Sequence, residues 1–377
     1  MMCSLRSSFI GSLILLSLVG EGQDGKEREL SGLYRSERFD RIIEITQKEA
    51  SKLSEEAAFW RGMALKRKGA YDRAILFLKA VDKGPYGKRA KDELQASRKA
   101  IRWKQDPVCE VEPVRPLNSD ADENCPGWGD ATYTTLLFTR SKGKGREKGN
   151  DDLLITDKRQ TGKWKKAVPF QKALNTPADE FCLSIDPNGS KGFFSRCEKG
   201  KCRTRILRSK DEGWEDQGYF DLLQPCAPDT VDHMQPAYHP SSQRLYFASD
   251  LPGGQGGMDL WYVRYDTVTG KWTDPVNAGP KVNSAGDEAY PTVRKDGRLY
   301  FSSDGHQGMG GMDLFRAERN GTGGHEKVEN LGYPINSEAD DTRIIFEGAM
   351  MRGFFSSDRE RKGCEGKDDL FRFFKKT

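Results

Sequence analysis

The chain has 377 residues, 36% hydrophobic and 31% charged, with a mean hydropathy of −0.76. That excludes a polytopic membrane protein and leaves enough apolar residues for two or three packed domains. Sixty-one Lys and Arg against 57 Asp and Glu give a formal charge of only +4, so no global field draws the chain to nucleic acid.

Arg6 and the apolar run Phe9 to Val19 read as an export signal, because the run is shorter than the roughly 20 residues a membrane helix needs. Small residues at Gly20 and Gly22 place cleavage after Gly22, so residues 1–22 are expected to be removed; an uncleaved anchor is the alternative. Cys3 precedes the apolar run and cannot serve as a lipidated cysteine after it. The mature chain is therefore expected in the periplasm or at the outer membrane, with no transmembrane span. Seven cysteines remain: Cys109, Cys125, Cys182, Cys197, Cys202, Cys226 and Cys364. In an oxidising compartment they favour pairing, and Cys197 and Cys202, flanking a Glu-Lys-Gly-Lys turn, are predicted to form a disulfide. The four His residues (233, 239, 306 and 325) lack zinc-site spacing, so no metal is expected.

Residues 27–104 read as helical hairpins. Phe39, Ile42, Ile43 and Thr46 form one helical stripe, and Tyr71, Ala74, Ile75 and Leu78 another. A third helix is expected near Ala90 to Trp103. The turn Gly69-Ala70-Tyr71-Asp72-Arg73-Ala74, echoed by Arg38-Phe39-Asp40-Arg41, resembles that of a tetratricopeptide repeat, with Gly62 and Ala74 at its small contact positions. Leu65, Leu78 and Ile42 depart from the family pattern, and a plain helical hairpin is the other reading. Either way such stacks bind partners and carry no chemistry.

From residue 107 the chain repeats with a period near 54. Strands begin at Leu136, Gly192, Leu245, Leu299 and Gly353, and partners follow at Asp152-Leu153, Arg205-Ile206, Asp259-Leu260, Asp313-Leu314 and Asp369-Leu370. A further element carries Trp164, Trp214 and Trp272, with Glu326 near the matching place in the fourth unit. Asn118-Ser119, Asn175-Thr176, Asn283-Ser284 and Asn336-Ser337, each followed by acidic residues, punctuate the units. About four short strands per period predict a propeller. The fifth unit lacks an outer strand, while Val108 to Leu117 resembles one, so residues 107–377 are expected to form a five-bladed propeller closed by strand 108–117. The fold class is thus multidomain α+β: helical hairpins, then an all-β propeller.

The segments Leu299-Tyr300-Phe301-Ser302-Ser303-Asp304, Gly310-Gly311-Met312-Asp313-Leu314-Phe315 and Asn330 to Ser337 resemble the TolB-type, WD-repeat-like propeller of Bacteroidota envelope proteins. In that group a signal peptide, tetratricopeptide repeats and the propeller often precede an OmpA-like peptidoglycan-binding domain, as in PorE-like components of type IX secretion. The chain ends at Thr377 without that domain, so any peptidoglycan contact is expected to be indirect. The resemblance implies envelope protein partners, in secretion or outer-membrane assembly, and no nucleic acid.

Catalytic motifs are sparse. The Gly runs 253–257 and 308–311 join strands and open no helix, so they are not phosphate cradles. Asp259, Asp313 and Asp369 are expected to bind loop amides, and the Asn-Ser loops to set unit spacing and not to hold calcium. Ser302-Ser303-Asp304-Gly305 matches only the start of a glycosidase Asp-box, and no Ser–His–Asp spacing appears. No catalytic residue, cofactor or metal ligand is assigned. Two loops, Ser141 to Asn150 and Arg359 to Lys367, are rich in cations. Lys142, Lys144, Arg146, Lys148, Arg359, Arg361, Lys362 and Lys367 are the candidate partner-binding residues. A non-enzymatic exported scaffold is the main reading; a propeller glycoside hydrolase or carbohydrate-binding protein is the alternative.

Overall fold

A computed structural model describes residues 23–48, 53–141, 150–186, 188–220, 231–321, 323–362, 364 and 366–376. Residues 1–22, read above as an export signal, lie outside them.

Among the described residues five helices come first: α1 Gln23–Arg35, α2 Phe39–Gln47, α3 Glu55–Arg67, α4 Tyr71–Leu78 and α5 Gly87–Gln105. Ser54 caps α3 by accepting the Ala57 amide at 3.1 Å, and Glu55 and Glu56 occupy its positive first turn. The apolar stripes become the buried faces, Ile42 and Thr46 on α2 and Tyr71, Ala74 and Leu78 on α4. At Gly62 an added Cβ would lie 2.7 Å from the Leu78 side chain and 3.4 Å from the Ala74 carbonyl, so α3 and α4 pack at a separation that excludes a larger residue.

The remainder is β-rich and runs in five units of antiparallel strands. The first holds β2 Glu123–Trp128, β3 Thr135–Ser141, β4 Asp151–Asp157 and β5 Val168–Pro169; the second, β6 Asp179–Ile185, β7 Lys191–Glu198, β8 Lys201–Lys210 and β9 Gly213–Tyr219. The third holds β10 His233–His239, β11 Arg244–Ser249 and β12 Asp259–Asp266, with β13 Lys271–Trp272 and β14 Val276–Asn277 both on β12. A single parallel bridge, His233 to Arg203, joins units two and three into one sheet. The fourth holds β15 Glu288–Val293, β16 Leu299–Ser303, β17 Asp313–Arg319 and β18 His325–Asn330; the fifth, β19 Asp341–Phe346, β20 Arg352–Ser357 and β21 Asp369–Phe374. The outer strand of the fifth sheet is β1 Glu110–Pro113, paired antiparallel with β21 from Glu110–Phe374 to Pro113–Phe371. The first strands neighbour one another in a cycle: β2 on β6, β6 on β10, β10 on β15, β15 on β19 and β19 on β2.

Each interface between units repeats one device. Asn175 accepts the Leu153 amide and donates to its carbonyl; Asn283 does this to Leu260, Asn336 to Leu314 and Asn118 to Leu370. The residue after the Asn bonds an acid four positions on: Ser119 with Glu123, Thr176 with Glu180, Ser284 with Glu288 and Ser337 with Asp341. In the third unit, which lacks the Asn, Asp232 accepts the Cys202 amide and His233 Nδ1 the Thr204 amide.

That register corrects one expectation. The residue of the second unit that matches Leu153 is Thr204, opposite Ser195, and not Ile206. The shift arises because β7 and β8 turn through two residues only, Lys199 and Gly200, both at positive φ, where other units carry long loops. The recurrent Trp ties neighbouring units together: Trp164 packs edge-on against Phe354 and Trp272 against Phe193, each reaching the preceding unit.

Candidate functional site

The helices dock on the face where the loops between second and third strands emerge. Arg67 bonds Asp340 at 2.7 Å, Tyr71 donates to the Met309 carbonyl, and Lys104 pairs with Glu338. Trp103 packs over Gly332, whose φ of +68° and lack of Cβ admit the ring. Carboxylates gather at this face, and neighbouring amides occupy them: Asp122 accepts from Lys367, Asp179 from Asp151, Asp287 from Met258 and Asp340 from Met312. Asp259 accepts the Gln255 and Gly256 amides, and Asp313 that of Gly310. Burial and neighbouring carboxylates push Asp368 up to about 7 and Asp358 up to about 6, while Asp340, beside Arg67, is lowered despite its burial. Among the described residues no group of three or more His, Cys, Asp or Glu is placed to hold a metal.

The structure describes only one of the two cationic loops. Lys142, Lys144, Arg146 and Lys148 lie outside the described residues. Arg359 is a correction: it is 6% exposed, and its guanidinium bonds Asp341 and donates to the Pro334 and Ile335 carbonyls. It repeats Arg140, which bonds Glu123 and the Leu117 carbonyl, and Arg196, which bonds Glu180 and the Leu174 carbonyl. Arg140 and Arg196 lie near the end of the second strand and Arg359 two residues past it, and in all three the cation neutralises the buried acid of the first strand, so it serves packing between units. Lys367 pairs with Glu37 at the end of the first helical hairpin, and Arg361 donates to the Val111 carbonyl, so both are engaged within the chain. Lys362 is exposed.

Among the described residues there are two disulfides, Cys197–Cys202 in the tight β7–β8 hairpin and Cys125–Cys182, and Cys226 lies outside those residues. Cys109 is a buried thiol, with Cys364 half-buried.

The second disulfide belongs to a set that lies scattered along the sequence. Cys125, Cys182, Gln235, Tyr290 and Arg343 all have φ between +42° and +58°, a region costly for any residue with a side chain. Each sits at a register shift in the first strand of its unit, where one extra residue bulges. The five bulges therefore meet where the first strands neighbour one another. Cys125 bonds Cys182, and Gln235 Oε1 accepts the Tyr290 amide at 2.9 Å. Arg343 reaches across to the carbonyls of Pro291 (2.8 Å), Pro126 and Pro236 (3.5 Å each). Burial raises the Tyr290 phenol and lowers the Arg343 guanidinium to about 10. A sequence signal did exist: each of these residues lies two positions after the acid, or after His233, at the start of its first strand.

Beyond this plug, on the face away from the helices, opens a cavity of about 160 Å³ lined by the ends of the first strands and the loops that follow them. A shallower groove of about 1040 Å³ runs along the seam of units five and one, beside Trp164, Arg115 and Phe374. No helix among the described residues is long and apolar enough to cross a membrane.

No protein-family model and no curated protein matches the chain. Solved structures do. TolB from Acinetobacter baumannii is 14% identical with a TM-score of 0.36, over 68% of this chain and 55% of that one. A putative TolB from Agrobacterium tumefaciens is 16% identical at 0.35, over 71% and 97%. The endo-arabinase of Bacteroides thetaiotaomicron is 12% identical at 0.45, over 70% and 96%. At these identities and scores the likenesses do not bear on activity.

Proposed function

We propose that this chain is a non-enzymatic, exported envelope scaffold, a five-bladed TolB-like propeller closed by strand 108–117 and carrying tetratricopeptide-like hairpins that dock protein partners. The cyclic neighbourhood of the first strands and the Asn118–Leu370 latch support the ring. The Gly62–Leu78 approach supports the tetratricopeptide-like packing.

One observation carries the non-enzymatic reading. A glycosidase needs two carboxylates free to act as acid and as base or nucleophile. In this chain the acids at the unit junctions are bonded by amides, hydroxyls or Arg in one repeating pattern, and the residues at the centre are a disulfide, Gln, Tyr and Arg. The acid at the start of the first strand recurs in four of the five units, with His233 in the third, and this near-repetition is what packing requires, whereas catalysis needs carboxylates set apart from the repeat.

Because α5 and the α3–α4 hairpin occupy the loop face at units four and five, partners meet the helical hairpins together with the free loops of that face, including Lys362. Affinity capture from native envelopes, followed by mass spectrometry, tests this. Reversing Lys142, Lys144, Lys148 and Lys362 to Glu should remove partners captured at low salt, with the attraction screened above ~0.15 M. Unchanged capture would move the docking surface to the helices, and hydrolysis of an envelope or plant polysaccharide by the purified protein would overturn the scaffold reading.

A further inference from the structure

The cavity on the face away from the helices holds a charge that the fold does not compensate. Arg343 lines it and is 3% exposed, and among the described residues no carboxylate lies within ion-pair distance of its guanidinium. Its partners are neutral carbonyls, and Tyr290 beside it stays protonated. This differs from the other buried arginines of the repeat, Arg196 and Arg359, each of which faces an acid. A buried cation without a counter-ion is costly, and the low dielectric around it strengthens attraction to an anion that enters.

Three further features point into the same space. The Thr292 hydroxyl is buried and has no hydrogen-bond partner, and Thr292 lines the cavity. Arg294 and Lys295 stand beside it; Arg294 stacks on Phe346 at 4.7 Å and donates to the Gly348 carbonyl. The acid in the lining, Asp130, accepts from the Thr132 and Thr134 amides and the Thr134 hydroxyl, which hold it ionised, so it offsets one of the cations and leaves two uncompensated. Three cations thus oppose one occupied carboxylate. The other walls are mostly apolar, part aliphatic and part aromatic, the latter from Trp128, Tyr133, Tyr238 and Phe346. The Trp128 ring nitrogen is already bonded to the Phe346 carbonyl, and the Lys158 ammonium stands over its ring at 5.6 Å, so Trp128 contributes apolar wall and no hydrogen bond.

We propose that this cavity is a binding site for a monosaccharide-sized carboxylate, a hexuronic acid in chemical class, with the carboxylate on Arg343 and Thr292 and the ring against the aromatic walls. A volume of about 160 Å³ corresponds to roughly five waters at about 30 Å³ each, room for one pyranose and little more. Apolar walls with a few convergent polar groups are the usual composition of a small-ligand site, and aromatic faces suit the C–H faces of a sugar. This site is independent of the protein-docking reading, since it opens on the opposite face.

The test is calorimetric titration of the full exported chain in low salt with D-glucuronate, with D-glucose as the uncharged match and with triglycine as a peptide carboxylate. Glucuronate should bind about 10- to 100-fold more tightly than glucose, the ratio expected for hydrogen bonds to a charged group. Arg343→Gln should abolish that preference, and Thr292→Val should weaken glucuronate several-fold with unchanged melting. If Arg343→Gln does not fold, the exposed-side pair Arg294→Gln and Lys295→Gln decides, with an expected loss of several-fold. Equal binding of glucose and glucuronate, no binding of glucuronate at millimolar concentration, or binding indifferent to these variants would overturn the proposal. Triglycine binding as tightly as glucuronate would also overturn it, because the site would then read a peptide terminus.

Discussion

Asn118 is where the two ends of the β region meet, and its replacement by Ala tests how much that seam contributes. Its side chain accepts the Leu370 amide and donates to the Leu370 carbonyl, both at 3.0 Å, and Leu370 is fully buried. In Asn118→Ala the amide of Leu370 loses its partner, at a cost of about 1–3 kcal/mol for a buried donor. The carbonyl keeps a second bond from the Val114 amide at 2.8 Å, so its loss is a single hydrogen bond of about 1 kcal/mol. The expected total is about 2–4 kcal/mol, or a fall of about 4–12 °C in Tm for a domain of this size. Asn336→Ala is the matched control: Asn336 holds Leu314 in the same way between consecutive units, and the Leu314 carbonyl likewise keeps a bond from Leu331. Differential scanning calorimetry of both variants, with urea titration as a second probe, measures the two costs. A Tm for Asn118→Ala within about 2 °C of the parent, alongside a clear fall for Asn336→Ala, would show that the seam between the fifth and first units holds nothing together.

Deleting Val108 to Leu117 removes β1 and exposes the edge of β21, so light scattering should report aggregation and the melt a marked loss of stability; parental melting would refute the pairing. The disulfides should differ in worth: loop closure over a separation of 57 residues makes Cys125–Cys182 worth about 4 kcal/mol, and the short Cys197–Cys202 loop ~1–3 kcal/mol. Ser pairs at each site, melted side by side, check the order, and free-thiol labelling of Cys197 and Cys202 in exported protein would rule out that bridge. Asp368 gives a pH test. Its carboxyl sits near 7 through burial and through Asp358, Asp122 and Asp340, with Lys367 opposing, against an ordinary value of about 3.9 in the unfolded chain. The folded state then keeps a proton that the unfolded state has released, so stability falls as pH rises from about 4 to about 7. Asp368→Asn should therefore stabilise at pH 8 and do little at pH 4; a gain confined to acid would refute the assignment.

Much of the architecture is legible in the amino-acid sequence itself. A period near 54 is a local property, written in the Phe-rich second strands and the Asn-Ser punctuation, because every unit must solve the same packing problem with the same residues. Even the pairing of the two ends of the β region can be read, since Val108 to Leu117 resembles the outer strand that the fifth unit lacks. The helix stripes of residues 39–46 and 71–78 become buried faces for the same reason: side-chain period reports which face is covered.

What the sequence does not disclose depends on neighbours far along the chain. Arg359 lies in a charged loop and reads as surface, yet the first strand of its own unit and the Pro334-Ile335 segment close over it, as happens to Arg196 and Leu174. Lys367 faces Glu37, more than three hundred residues earlier. At the centre Cys125, Cys182, Gln235, Tyr290 and Arg343 occupy one position of the repeat but, apart from the two Cys, differ in chemistry, so only their spacing from the preceding acid or His233 marks them. Only the cyclic packing of five bulged first strands brings them together, and with them the one buried cation among the described residues that faces a cavity and not a carboxylate.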